Sequence, residues 1–411
     1  MKKVLAIALA LVMVLALVAC GNGEGTAPAT PPAAPAYGGA AAQPETPPAG
    51  GAAAQPQQQT PPAGSVPPAE IAPEDAAELR IALVAHGPES IQFDGSFNEG
   101  AWTGILEFLG THGLDPNTHA RFFQAHAADN EARVDVMIDA IDTWGADILI
   151  LPGFHFAESV YTAANLYTET MFVVLDTRTD PGPTPANVVT ILYAEEQSGF
   201  LAGYAVVMEG YRQLGFMGGI AVPAVVRFGH GFLEGAEYAA QSLGLAPGDV
   251  TINYHYIGGF APNPAVTTMA GSWFAAGTEV IFAAAGGAGF SVIAAAEDAG
   301  AWVVGVDVDQ SGASDVVITS AMKALAVSVN DMLNDYVGGG FRGGSDLLFD
   351  ASLNGVALPM ANSRFSTFTQ AQYDAIYAQL ASGAISVTTT VTPTVAEANL
   401  NLNLVTLNEI S

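Results

Sequence analysis

The chain has 411 residues and carries 11 Lys+Arg against 40 Asp+Glu, a formal charge of −29 at pH 7. That balance argues against nucleic acid as a partner, because neutralising phosphates takes clusters of Lys and Arg, and against charge-driven adsorption to anionic lipid. The length allows two domains of ordinary size, the apolar fraction of 50% is ample for buried cores, and Cys20, the sole cysteine, excludes a disulfide within the chain.

The first 75 residues read as an export signal and a tether. Met1-Lys2-Lys3 supplies a positive start, and Val4 to Val18 is an uninterrupted apolar run, shorter than the roughly 20 residues that span a bilayer comfortably. The run ends on Leu17-Val18-Ala19-Cys20-Gly21, which resembles the bacterial lipobox. The resemblance implies a signal peptide over 1–19, cleaved before Cys20, and a diacylglycerol on the Cys20 thiol. Cleavage would remove Lys2 and Lys3, taking the formal charge to −31 and leaving Lys323 as the only lysine. Residues 20–77 follow as a Pro/Ala/Gly/Gln-rich tether, with 13 of the 25 prolines lying between Gly21 and Asp75. Such a stretch has too little apolar mass to bury and is expected to be disordered. It either holds a folded part away from a membrane or is a plain spacer.

Beyond it, strands and helices alternate. Leu79 to Val84 reads as a strand, Phe97 to Leu109 as a helix and Phe122-Phe123 as a strand, while Val134, Met137, Ile138 and Ile141 recur at helix spacing. Asp147 to Leu151 and Met171 to Leu175 are strands, and Gln197 to Met208 is a helix. The rhythm restarts with strand Gln213 to Phe216, helix Phe232 to Gln241, strand Val250 to Tyr256 and helix Pro264 to Phe274. Strands Val280 to Phe282 and Trp302 to Val306 bracket helix Ser291 to Ala299, and Met322 to Tyr336 closes the series as a helix. This order predicts an α/β fold: two similar lobes, each a parallel sheet with helices on both faces, around a ligand cleft. In such sheets ligands gather at the carboxyl ends of strands.

The residues at those ends are the candidates. Asp94-Gly95-Ser96-Phe97-Asn98 enters a helix, offering free N–H groups, a carboxylate, an amide and a flat aromatic face. Spacing alone favours a capped helix with Phe97 and Trp102 in the core. Asp176 follows the Met171 to Leu175 strand, where in isolation it reads as a turn former rather than a contact. Ile257-Gly258-Gly259-Phe260 places a second aromatic after a strand. Gly286-Gly287-Ala288-Gly289 fails the three-glycine dinucleotide fingerprint. Strand alternation would put Asp307 and Asp309 on one face, as acid and base, metal ligands or hydroxyl acceptors. The seven histidines lack ligand spacing, there is no nucleophile elbow, and no metal, cofactor or enzyme chemistry is called for.

Taken in order, Asp94 to Asn98, Glu195-Glu196 with Gly199 to Gly203, Gly218-Gly219 with Pro223 and Arg227-Phe228, Gly231 to Gly235, Gly305 to Gln310 and Thr319 to Lys323 resemble the basic membrane protein family. These are lipoproteins of the PnrA type that bind purine nucleosides for ABC importers. The resemblance spans about Leu79 to Val387. It implies a type I periplasmic-binding-protein fold, with lobe 1 over 78–194 plus 309–345 and lobe 2 over 195–308 plus 346–411. It also implies a nucleoside sandwiched by Phe97 and Phe260, contacted by Asp94 and Asn98, read at its base by Asp176 and held at its ribose by Asp307 and Lys323. Where the family follows the second aromatic with an aspartate and a proline, this chain has Phe260-Ala261-Pro262-Asn263-Pro264. The implied partners are a permease and, through Cys20, the extracytoplasmic face of a membrane. Alternatives are the same fold binding ribose or galactose, a sensor lipoprotein docking on a receptor and, more distantly, a nucleoside hydrolase. The tail from Ser386 has no functional reading.

Overall fold

The structure, a computed structural model, describes residues 78–392 and 394–410. The signal, Cys20 and the whole tether lie outside the described residues. In chain order the first elements are β1 (Ile81–Ala85), α1 (Phe97–His112), β2 (Ala120–Gln124), preceded by the short α2 (Pro116–His119), α3 (Asn130–Ile138), β3 (Ile148–Pro152), α4 (Ala157–Leu166), β4 (Met171–Leu175) and β5 (Val188–Tyr193). Next come α5 (Glu195–Glu209), β6 (Gln213–Gly218), α6 (Pro223–Leu243), β7 (Val250–Tyr256), α7 (Pro264–Ala275), β8 (Val280–Ala284), α8 (Gly289–Ala299) and β9 (Trp302–Asp307). The chain finishes with β10 (Val317–Lys323), α9 (Leu325–Val337), β11 (Ser345–Phe349), β12 (Val356–Ala357), α10 (Gln370–Ala381), α11 (Val395–Ala398) and β13 (Val405–Glu409).

These strands form two sheets, ordered β11-β5-β4-β3-β1-β2 and β12-β10-β9-β8-β6-β7-β13. Every pairing is parallel except β10 with the two-residue β12. The central strands are apolar without alternation, as in Ile-Ala-Leu-Val-Ala for β1 and Ile-Leu-Ile-Leu-Pro for β3, because both faces are covered. Leu83 and Ile150 face one core with Ile105 and Phe108 of α1, while Val84 and Leu151 face another with Phe156 and Val160.

Three crossovers join the lobes, at Ala194, Ala324 and Asp350. They run side by side: Ala194 N–H donates to Phe349 O (3.1 Å), and Ala324 N–H to Gly355 O (2.9 Å). Helices α5 and α6 flank this hinge with their backbones in contact. A Cβ at Gly199, Gly203, Gly231 or Gly235 would stand 2.0–2.1 Å from a carbonyl oxygen of the facing helix. Only glycine permits that approach, which accounts for the two four-residue glycine spacings.

The expected lobe boundaries shift in two places. Residues 317–323 form β10 beside β9 in the second sheet, so the chain crosses at Ala324 rather than after 308, and the helix expected from Met322 starts at Leu325. Thr319, Ser320 and Lys323 are buried in β10 and interrupt the apolar run that would have marked a strand. Likewise β11, including 346–349, pairs with β5 in the first sheet. The tail joins the second sheet, where β13 pairs with β7 and Glu237 accepts from the backbone N–H groups of Leu404 and Val405. No helix among the described residues is long and apolar enough to cross a membrane.

Candidate functional site

A cavity of about 770 Å³ lies between the lobes at the carboxyl ends of both sheets, and Asp94, Phe97, Asn98, Asp176, Phe260, Asp307 and Lys323 all line it. Strand order arranges its two ends. Asp176, Asp307 and Lys323 end β4, β9 and β10, next to the crossovers. His86, His155 and Phe260 follow β1, β3 and β7, farther from the hinge.

At the hinge end Lys323 is the organising charge. Its Nζ stands 2.6 Å from Asp176, 3.4 Å from Asp307 and 3.7 Å from Glu195. It also lies over the rings of Phe97 (4.7 Å), Phe228 (5.3 Å) and Tyr193 (5.6 Å). Burial opposes the charge, but Asp176, Asp307 and Glu195 outweigh it and hold the ammonium pKa above its ordinary value. Burial pushes the Glu195 carboxyl up against the pull of Lys323 and Arg227, whose guanidinium is 3.3 Å away. Asp176 and Asp307 both take left-handed backbone, with φ of 65° and 67°. That conformation is uncommon for a residue with a side chain and turns each carboxylate out of its strand end.

The lobes meet across the cleft through this cluster. Lys323 and Asp307 belong to the second sheet and Asp176 to the first, and Ser96 Oγ donates to Asp307 Oδ2 at 2.6 Å. Gln310 Nε2 donates to Gly95 O at 2.8 Å.

Asp94 works as the cap of α1. Its carboxylate accepts from the backbone N–H groups of Ser96, Asn98 and Glu99 at 3.0–3.1 Å. Burial still raises its pKa to about 6, with those three bonds acting the other way. Asn98 donates through Nδ2 to Ser90 Oγ and Ile91 O, pinning the loop ahead of the helix. Phe260 rests on Gly219 and Gly286: a Cβ at Gly219 would come within 2.2 Å of its ring.

Asp309 is not brought in. Because β9 ends at Asp307, Asp309 leaves the strand and bonds Ser311 N and Asn362 Nδ2 instead, so the expected same-face acid pair does not form. No group of three or more His, Cys, Asp or Glu among the described residues could hold a metal ion. The sequence reading missed His86, His155 and Arg133, which also line the cavity. Their positions on three separate elements leave no spacing to detect.

Two parallel-sheet lobes joined by three crossovers around a strand-end cleft define a type I periplasmic-binding-protein fold. An ABC transporter solute-binding protein from Aeropyrum pernix K1 superposes with a TM-score of 0.67 at 20% identity, covering 77% of this chain and 94% of that one. A second, from Conexibacter woesei DSM 14684, gives 0.60 at 22% identity over 76% of this chain and 99% of its own.

The chain belongs to the Bmp family, described as ABC transporter substrate-binding protein PnrA-like, which matches residues 79–390. Basic membrane protein A1 of Borrelia garinii subsp. bavariensis is 30% identical over 63% of this chain and 72% of its own length. The ABC transporter nucleoside-binding protein BmpA of Lactococcus lactis subsp. cremoris is 25% identical over 70% of this chain and 83% of its own. The chain is therefore a substrate-binding protein of ABC transport.

Proposed function

We propose that this protein captures a nucleoside, purine preferred, outside the cytoplasm and delivers it to an ABC permease while anchored by lipid on Cys20. The observation that carries it is the Lys323 cluster beside the Phe97 ring. Two carboxylates and an ammonium at one end of a cavity suit vicinal hydroxyls, which both donate and accept. Phe97 and Phe260 offer faces to a flat base, and Asp94 and Asn98 hold the helix start from which Phe97 projects. A nucleoside-binding relative supports the same ligand class. The role is binding without covalent chemistry. Ligand contact with both lobes favours their closure about the three crossovers, which readies the paired surface for a permease.

The same ionic end would also accept a free sugar, so ribose is the rival ligand. Thermal-shift screening of the domain from Leu79 onward, with purine and pyrimidine nucleosides and ribose, separates the two. A native-state ligand raises Tm by mass action. The expected result is a rise with guanosine or adenosine exceeding that with ribose; a rise with ribose alone would overturn the nucleoside assignment.

A further inference from the structure

His86 and His155, at the cavity end away from the hinge, have no role in the ionic cluster. Their rings stack with centroids 3.9 Å apart and planes 18° apart, and Phe154 covers His155 at 3.8 Å. Both Nδ1 atoms are buried without a hydrogen-bond partner. Behind them Arg133, 6% exposed, bonds His86 O, Asn130 Oδ1 and Ala128 O, and no carboxylate among the described residues forms an ion pair with it.

The chemistry of this end differs from that of the hinge end. Burial first, then Arg133, lowers the His86 pKa to about 4. Burial, then His86 and Arg133, lowers that of His155 to about 3. Both rings are neutral at pH 7, so each carries one N–H donor and one lone pair. A carboxylate can only accept; two neutral imidazoles offer both functions, as the edge of a nucleobase does. Strand order gives the separation: β1 and β3 lie two and one places beyond β4, about 5–10 Å along the sheet edge from Asp176. That span fits a base whose sugar lies against Lys323. Asp176 is itself bound by Lys323 at the hinge end. That contact takes Oδ2 alone, and Asp176 Oδ1 is buried without a partner, free to accept a ligand hydroxyl beside Lys323.

We propose that His86 and His155 form the base-edge subsite, reading donors and acceptors of a neutral, planar nitrogen heterocycle while Lys323, Asp176 and Asp307 hold the sugar. The proposal rests on the nucleoside function above. Burial keeps the rings neutral with Arg133 adding to it, and Arg133 Nε fixes the His86 carbonyl.

The test is calorimetry on His86→Phe and His155→Phe, which keep a stacked ring and remove its nitrogens, with guanosine, adenosine and ribose. Each variant is expected to lose about tenfold or more in affinity for the preferred nucleoside and to narrow the guanosine/adenosine ratio, with ribose binding unchanged. If a phenylalanine variant fails to fold, His86→Asn and His155→Gln are used, and the same narrowing of the ratio is expected. Wild-type affinity and ratio in folded variants would overturn the subsite alone. A wild-type protein that binds no nucleoside would overturn the function and the subsite together.

Discussion

The two ends of the cleft solve the problem of polar burial in opposite ways. At the hinge end an ammonium is buried among carboxylates and stays charged because Asp176, Asp307 and Glu195 surround it. At the far end two imidazoles are buried beside a cation and stay neutral. The first arrangement is strong, directional and costly to break; the second is adaptable and carries no net charge. A ligand with hydroxyls at one end and a heterocycle at the other matches that division.

Removing Lys323 attacks the charged end most severely, since it leaves acids in a site 5% exposed at the lysine. Lys323→Met is expected to destabilise the fold by about 3–5 kcal/mol, the usual cost of stranding buried charge. Nucleoside binding should be lost with it. Denaturant unfolding at pH 8 checks the first part, and an unchanged midpoint would mean that the acids do not need the ammonium.

The aromatic faces come next. Phe97→Ala and Phe260→Ala should each weaken nucleoside binding by about 1–3 kcal/mol, the range of base–aromatic stacking. Phe97 also lies under Lys323, so its loss should lower stability slightly, whereas Phe260→Ala should leave it nearer wild type. Unchanged affinity for both variants in titration calorimetry would remove the sandwich.

The smallest effect on binding concerns Glu196, buried on α5 behind the charged end, with Oε2 unpartnered. Burial above all, with Asp350 and Glu234 adding to it, raises its pKa from 4.5 to about 7. A folded-state pKa above the unfolded one means that its contribution to stability is lost as pH rises from about 4.5 to about 7. Glu196→Gln should therefore raise stability above pH 7, by up to about 3 kcal/mol, and flatten the profile between those limits. Tm measured at pH 5 and pH 8 tests it; an equal shift at both would contradict the burial of its charge.

Much of this was legible before folding. Met171 to Leu175 and Val250 to Tyr256 stand with the bounds expected of them, because a continuous apolar run in the first and an alternating one in the second have few alternatives. All seven candidate residues line the cavity because strand ends are where such folds gather side chains. Strand β10 escaped because its buried positions include the polar Thr319, Ser320 and Lys323, which break the apolar run that marks a core strand. Strand β5, absent from the expected series, carries a Val-Val-Thr-Ile-Leu-Tyr run as readable as its neighbours. The imidazole pair was not legible at all: His155 lies 69 positions after His86, and only the adjacency of β1 and β3 brings them together. Asp309 shows the reverse error, since strand alternation ends where Asp307 turns left-handed.

The central claim is that one end of the cleft holds the sugar and the other the base, and Asp307→Ala tests it most directly. Titration calorimetry of wild type and variant with guanosine and with guanine reads the two ends separately. The account predicts weaker guanosine binding with guanine affinity unchanged. Equal losses for nucleoside and free base would contradict it.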